Sequence, residues 1–127
     1  MGDCGCIYTE YDNAVMLKDE TIKAARKQHK CSECKRTINI GESYQYTVSE
    51  FEGMLDTYKT CSDCQSIIKV FFCNGYGFTA VKRDLWEHIN EMNGEISADC
   101  ILALTPGARS VVLDMIQKVF DDLNEED

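Results

Sequence analysis

Proline is almost missing from this chain of 127 residues, occurring once, at Pro106. No repeat and no low-complexity stretch accompanies it, so nothing reads as a linker between independent domains. The length fits one domain, or a small module with an extension. Histidine is nearly as scarce, at two residues, His29 and His88. That scarcity removes much metal-enzyme chemistry. A zinc deaminase needs His-x-Glu and Pro-Cys-x-x-Cys, but His29 precedes Lys30-Cys31 and His88 precedes Ile89-Asn90. A metalloprotease helix needs His-Glu-x-x-His, which does not occur. A ββα-metal nuclease needs a histidine inside its metal finger, and neither one lies between Cys31 and Cys64. No P-loop or dinucleotide fingerprint appears. Long apolar runs are missing too. None approaches the roughly 18 residues that span a bilayer, and the first residues lack the apolar core of a secretory signal. Met1-Gly2 is followed by Cys6 where a myristoylation motif carries Ser or Thr.

Positive charge is in deficit, with 13 basic residues against 22 acidic ones and a net charge of −9. Broad, non-specific phosphate binding needs a cationic surface, so the balance argues against it. The deficit is uneven. Residues 18–36 hold seven basic residues against three acidic, and residues 110–127 hold six acids and one lysine. The basic stretch reads first as a solvated strand that offsets metal-bound thiolates, and second as a nucleic-acid patch. The carboxylates are scattered, with no catalytic pairing.

What the chain has in quantity is cysteine, eight residues in all. Without a secretory signal they point to a reducing compartment and to metal rather than disulfides. Cys31-Ser32-Glu33-Cys34 and Cys61-Ser62-Asp63-Cys64 are separated by 26 residues. A two-residue spacer folds the chain into a knuckle whose sulfurs face one ion. Four thiolates at about 2.3 Å fill the tetrahedral shell of Zn²⁺ and leave no position for water. The competing readings are two disulfides or redox pairs, and two redox pairs without a βαβ pattern fit poorly. Cys4, Cys6, Cys73 and Cys100 remain. Cys4-Gly5-Cys6 with two distant thiols could make a second Zn²⁺ site. Alternatively Cys100, in the apolar run of residues 100–104, is a small buried hydrophobe. His29 or His88 could substitute as a ligand, though each reads first as an ordinary histidine.

Between the two pairs, residues 43–51 are aromatic and β-branched, and residues 55–60 form a returning strand after a Glu52-Gly53 turn. Gly41 marks a further turn. A helix starts at Ser62-Asp63 and continues apolar through residues 65–72. Knuckle, hairpin and a helix carrying the second pair in its first turn is the order of a treble-clef zinc finger. Helix N-termini favour thiolates, because free N–H groups and the macrodipole both stabilise negative charge. Upstream, residues 1–13 read as an irregular arm. Residues 14–29 are ambiguous, with residues 21–27 read as extended. Downstream, Thr79 is expected to cap a helix over residues 80–92, ending at Asn93-Gly94. Ser97 caps a short helix over 98–104, and Thr105-Pro106 opens a last helix over 107–123. Its apolar stripe is Val112, Met115, Ile116, Val119, Phe120 and Leu123. The fold class is therefore α+β: a treble-clef-type module with an N-terminal arm over residues 1–78, and a helical extension over 79–127 packed on it.

Asp3-Cys4-Gly5-Cys6, the run from Ala25 to Cys34, Ile38-x-x-Gly41-Glu42-x-Tyr44 and Lys59-Thr60-Cys61-x-x-Cys64 together resemble small uncharacterised zinc-finger proteins of bacteriophages and prophages. The resemblance covers about the first three-fifths of the chain. It implies a phage origin and the cytoplasm of a bacterial host cell, and it supplies no activity. The resulting expectation is a non-enzymatic, zinc-stabilised binding protein. It acts on a host or phage protein, with a basic nucleic-acid-binding one among the candidates, as an inhibitor of a host enzyme or defence complex. Its acidic contact residues are Asp114, Asp121 and Asp122, with Glu87 and Glu91 on the neighbouring helix. Glu95, Glu125 and Glu126 extend the set, and mere solubilisation is the competing role for all of them. The alternative function is a small DNA- or RNA-binding regulator using residues 18–36.

Overall fold

Three antiparallel strands, a two-residue-per-strand hairpin and four helices make up the α+β fold of the computed structural model, which describes Ile7, residues 15–72 and residues 76–124. The sheet has the order β1 (Val15–Ile22), β4 (Tyr44–Phe51), β5 (Met54–Cys61). The small hairpin of β2 (His29–Lys30) and β3 (Thr37–Ile38) is inserted between β1 and β4. Aromatic and β-branched residues favour the pleated surface of β4 and β5. Their connection is the Glu52-Gly53 turn, and both residues have positive φ, at 53° and 81°. A two-residue hairpin loop of this handedness matches the twist of the strands it joins. The register pairs Phe51 with Met54 and runs without a break to Tyr44 opposite Cys61.

β1 lies where the sequence is least decisive. Its residues are exposed at all but the last position, and a register shift between Met16 and Lys18 breaks its pairing with β4. The extended reading of residues 21–27 is corrected here: the strand occupies Val15–Ile22, and residues 23–28 are irregular, with bends at 23–24 and 26–27. The chain turns there because Ala25 is fixed by two backbone bonds to the turn after β3. Ala25 N–H donates to Glu42 O at 2.8 Å, and Gly41 N–H donates to Ala25 O at 2.9 Å. Gly41 takes φ of 90° there, which glycine adopts without strain.

β5 runs directly into helix α1 (Ser62–Phe71), with Cys61 as the N-cap residue. Helices α2 (Val81–Glu91), α3 (Ala98–Leu102) and α4 (Pro106–Asn124) follow. Ile67 and Phe71 of α1 pack with Val81, Leu85 and Ile89 of α2, with Cys100 and Leu104, and with Ala108, Val112 and Val119 of α4. A second, smaller core joins Ala25, Cys31, Ile38, Tyr44, Cys61 and Cys64. α1 thus serves both cores, one end holding thiols and the other apolar side chains. Phe120 and Leu123 of the expected stripe on α4 are largely exposed, whereas Val112 and Val119 are buried. Asn93 (φ 56°) and Gly94 (φ 78°) end α2, as their sequence signals. Ser97 caps α3 through Asp99 N–H, and Thr105 Oγ1 accepts from Ala108 N–H at 3.3 Å to cap α4. The N-terminal arm falls outside the described residues apart from Ile7. Its N–H donates to Phe71 O at 2.8 Å, and its side chain joins the larger core.

Candidate metal centre

The knuckle at Cys31–Cys34 turns tightly because Lys35 takes a positive φ of 67°. Lys35 N–H then donates to Cys31 O at 3.0 Å and Cys31 N–H to Arg36 O at 2.9 Å. The second pair is presented differently. Cys61 ends a strand and caps α1, so Cys64 stands in the first turn of the helix. The two arrangements converge. One sulfur from each of Cys31, Cys34, Cys61 and Cys64 lies within 4.8 Å of all the others. Cys31 and Cys64 sulfurs are 3.9 Å apart, and those of Cys34 and Cys61 are 3.7 Å apart. Tetrahedral thiolates around a Zn²⁺ with bonds of about 2.3 Å stand roughly 3.8 Å from one another. The donor set and spacing therefore fit a tetrahedral metal ion such as zinc. None of these four cysteines is in a disulfide.

The surroundings favour negative charge on sulfur. Cys31 Sγ accepts from Glu33 N–H at 3.4 Å and from Cys61 N–H at 3.3 Å, and Cys61 Sγ accepts from Cys64 N–H at 3.5 Å. Hydrogen bonds with Cys61 and Cys64 hold the Cys31 thiol far below its ordinary range. The shared bond with Cys31 has the reverse effect on its neighbours, pushing Cys61 up to about 12 and Cys64 higher still. Four thiols packed this closely concentrate charge on one member. A dication is what allows all of them to carry it.

Two polar connections around this centre have no local sequence signal. Glu33, the spacer residue in the first knuckle, is buried, and its carboxylate reaches helix α2. Oε2 accepts from Thr79 N–H at 2.6 Å, and Oε1 from Val81 N–H at 3.1 Å. Thr79 is therefore not the cap that its identity suggests. It takes φ of 67°, Ala80 occupies the N-cap position without a side-chain bond, and Glu33 supplies the acceptor instead. Burial raises the Glu33 carboxyl above the usual carboxylate range, and the two backbone N–H groups offset only part of that rise. The second connection runs through Arg36. Its guanidinium takes Glu42 in a forked pair at 3.0 and 3.2 Å. Its Nε lies 3.3 Å from Asp63 Oδ2, an ion pair without hydrogen-bond alignment. Asp63 in turn accepts from Thr105 Oγ1 at 2.8 Å. That carboxylate sits against Gly107, where an added Cβ would overlap it.

Cys4, Cys6 and Cys73 lie outside the described residues. Cys100 is buried within the larger core and is disulfide-bonded, which corrects the expectation that it serves as a metal ligand or stands as a simple buried thiol. His29 packs on the Tyr44 ring at 5.3 Å and His88 on the Phe71 ring at 6.1 Å, so each has an aromatic neighbour in the described fold. Burial, then Lys59 and Lys27, lower the basicity of His29. Asp114, Asp121 and Asp122 on α4 and Glu87 and Glu91 on α2 are all exposed. Glu125 and Glu126 fall outside the described residues. No helix among the described residues is long and apolar enough to cross a membrane. No protein-family model, curated protein or solved structure shows significant similarity to the chain.

Proposed function

We propose that this chain is a zinc-stabilised binding protein of treble-clef type, and that it acts by occupying a macromolecular partner rather than by catalysis. The observation that carries the reading is the closure of the metal centre. Cys31, Cys34, Cys61 and Cys64 offer four sulfurs within 4.8 Å of one another. A tetrahedral ion held by all four has no position left for water or substrate, whereas a catalytic zinc keeps one open. The ion's contribution is to fix the knuckle hairpin on the first turn of α1.

The partner is a protein of a bacterial host or its phage, with a basic contact surface. Residues 79–127 contain 11 acidic and 4 basic residues, −7 of the total of −9. Asp114, Asp121 and Asp122 project from α4 into solvent, with Glu87 and Glu91 on α2. Complementary charge of this kind speeds encounter and makes association salt-sensitive. Reversal of Asp114, Asp121 and Asp122 to Lys should reduce capture of a basic protein from bacterial extract, as should raised salt, with melting and zinc content unchanged. Equal retention by both chains at low and high salt contradicts the acidic contact.

A further inference from the structure

The solvent-facing side of the three-stranded sheet gathers cations around an aromatic ring. Register places Glu20, Tyr46 and Lys59 in one cross-strand row, with Lys18, Val48 and Thr57 in the next row on that face. Thr47 and Ser49, which alternate with Tyr46 and Val48 along β4, are buried on the other face. Tyr46 is half-buried and accessible from solvent, and the Lys18 ammonium stands 5.6 Å from its ring centroid. The knuckle hairpin prolongs this face. Ser32 N–H donates to Lys59 O at 2.7 Å, and the Lys35 ammonium donates to Ser32 O at 3.1 Å. His29 packs on the Tyr44 ring, which lies on the same face of β4 as Tyr46, and Lys59 and Lys27 are near enough to His29 to act on its charge.

Three lysines therefore border one strip, Lys18, Lys35 and Lys59, and Lys27 lies near its His29 end. The carboxylate within it is Glu20, which lies 3.4 Å from Lys18. The other acids among the described residues of this half are engaged or remote. Glu42 holds Arg36, Glu33 caps α2, and Asp19 accepts from Thr47 on the buried face. Glu50, Glu52 and Asp56 lie at the far end of the hairpin, next to its turn. The overall acidity does not cancel the strip, because most of it belongs to residues 79–127. Exposed charges more than about 8–10 Å away are largely screened at physiological salt.

We propose that this face binds single-stranded nucleic acid, with backbone phosphates on Lys18, Lys27, Lys35 and Lys59 and a base stacked on the Tyr46 ring. Every base has a π-face, so an aromatic platform bordered by cations accepts a single strand with little sequence preference. A duplex keeps its base faces stacked inside and offers this ring nothing. Lys18 now covers the ring, and an arriving base takes its place while the ammonium moves to the phosphate. The surface differs from the acidic helical one, and the two readings stand or fall separately.

Fluorescence anisotropy of the zinc-loaded full chain with labelled oligo-dT and oligo-U of about 15 nucleotides, and with a duplex of equal length, tests this. Saturable binding of the single strands, weaker for the duplex, is expected at about 50 mM salt, falling steeply by about 200 mM. The pair Lys27→Gln/Lys59→Gln should weaken binding and flatten the log–log salt slope by about 1.4, two phosphates at about 0.7 each. Tyr46→Thr should weaken binding roughly five-fold or more with the slope unchanged. Lys27→Arg/Lys59→Arg should retain it. If the Gln pair melts early or loses zinc, Lys18→Gln on the exposed edge strand supplies the same comparison. Absence of single-strand binding at low salt, a duplex bound as tightly, or Gln variants binding like the parent chain would each overturn the proposal.

Discussion

Glu33 shows how much of this fold depends on a single side chain whose role is set far along the chain. It stands between two thiols of the candidate metal centre and caps a helix 46 and 48 residues downstream. Replacing a helix cap with alanine costs about 0.5–2 kcal/mol, and buried bonds to a charged acceptor are at the upper end. Glu33→Ala should therefore lower unfolding stability by about 2 kcal/mol in a denaturant titration, with zinc content unchanged. Glu33→Gln should recover only part, because one amide oxygen replaces two acceptors. An unchanged midpoint for Glu33→Ala would show that α2 is capped by water. In the sequence Glu33 looks like a spacer, whereas Thr79 looks like the cap. Cap preference is a local statistic, and a buried carboxylate arriving from the knuckle displaced it. The four cysteines were legible for the opposite reason. Their spacing encodes the geometry of each pair, and the only long-range requirement is that the pairs meet.

At the scale of elements, the hairpin and the helix that follows it were readable, because residues 44–61 combine β-branched and aromatic residues with a two-residue turn. β1 was not, because Lys18, Asp19 and Glu20 on an exposed edge carry no alternation. α4 was readable at its start through Thr105 and Pro106, yet its second residue has a meaning that sequence conceals. Glycine near the start of a helix usually lowers stability, and Gly→Ala is expected to add up to about 1 kcal/mol. At Gly107 the sign should reverse. The Asp63 carboxylate, bound to Thr105 and paired with Arg36, occupies the space of the new Cβ. Gly107→Ala should destabilise by about 1–2 kcal/mol, since overpacking forces the α1–α4 contact apart. Adding Asp63→Ala should abolish that penalty. A thermal melt in which Gly107→Ala gains stability would mean that the junction yields freely.

For the whole molecule, charge and metal divide the labour. The helical half carries most of the acidity, and the thiol-bearing half carries the knuckle, the sheet and most of the lysines. The smaller core contains Cys31, Cys61 and Cys64 alongside few large apolar side chains, so an ion held by the four sulfurs would supply cross-linking that apolar packing there does not. Structural zinc in small fingers contributes apparent binding energies of about 10–16 kcal/mol, enough to decide whether such a core exists. The most direct measurement is native mass spectrometry of the purified chain and its Cys64→Ser variant, paired with thermal melts in a strong chelator. The account predicts zinc bound to the parent chain, zinc lost from the Cys31–Cys34–Cys61–Cys64 centre in the variant, and early melting of both metal-free forms. A parent chain that carries no zinc, or that melts identically with and without chelator, would contradict it.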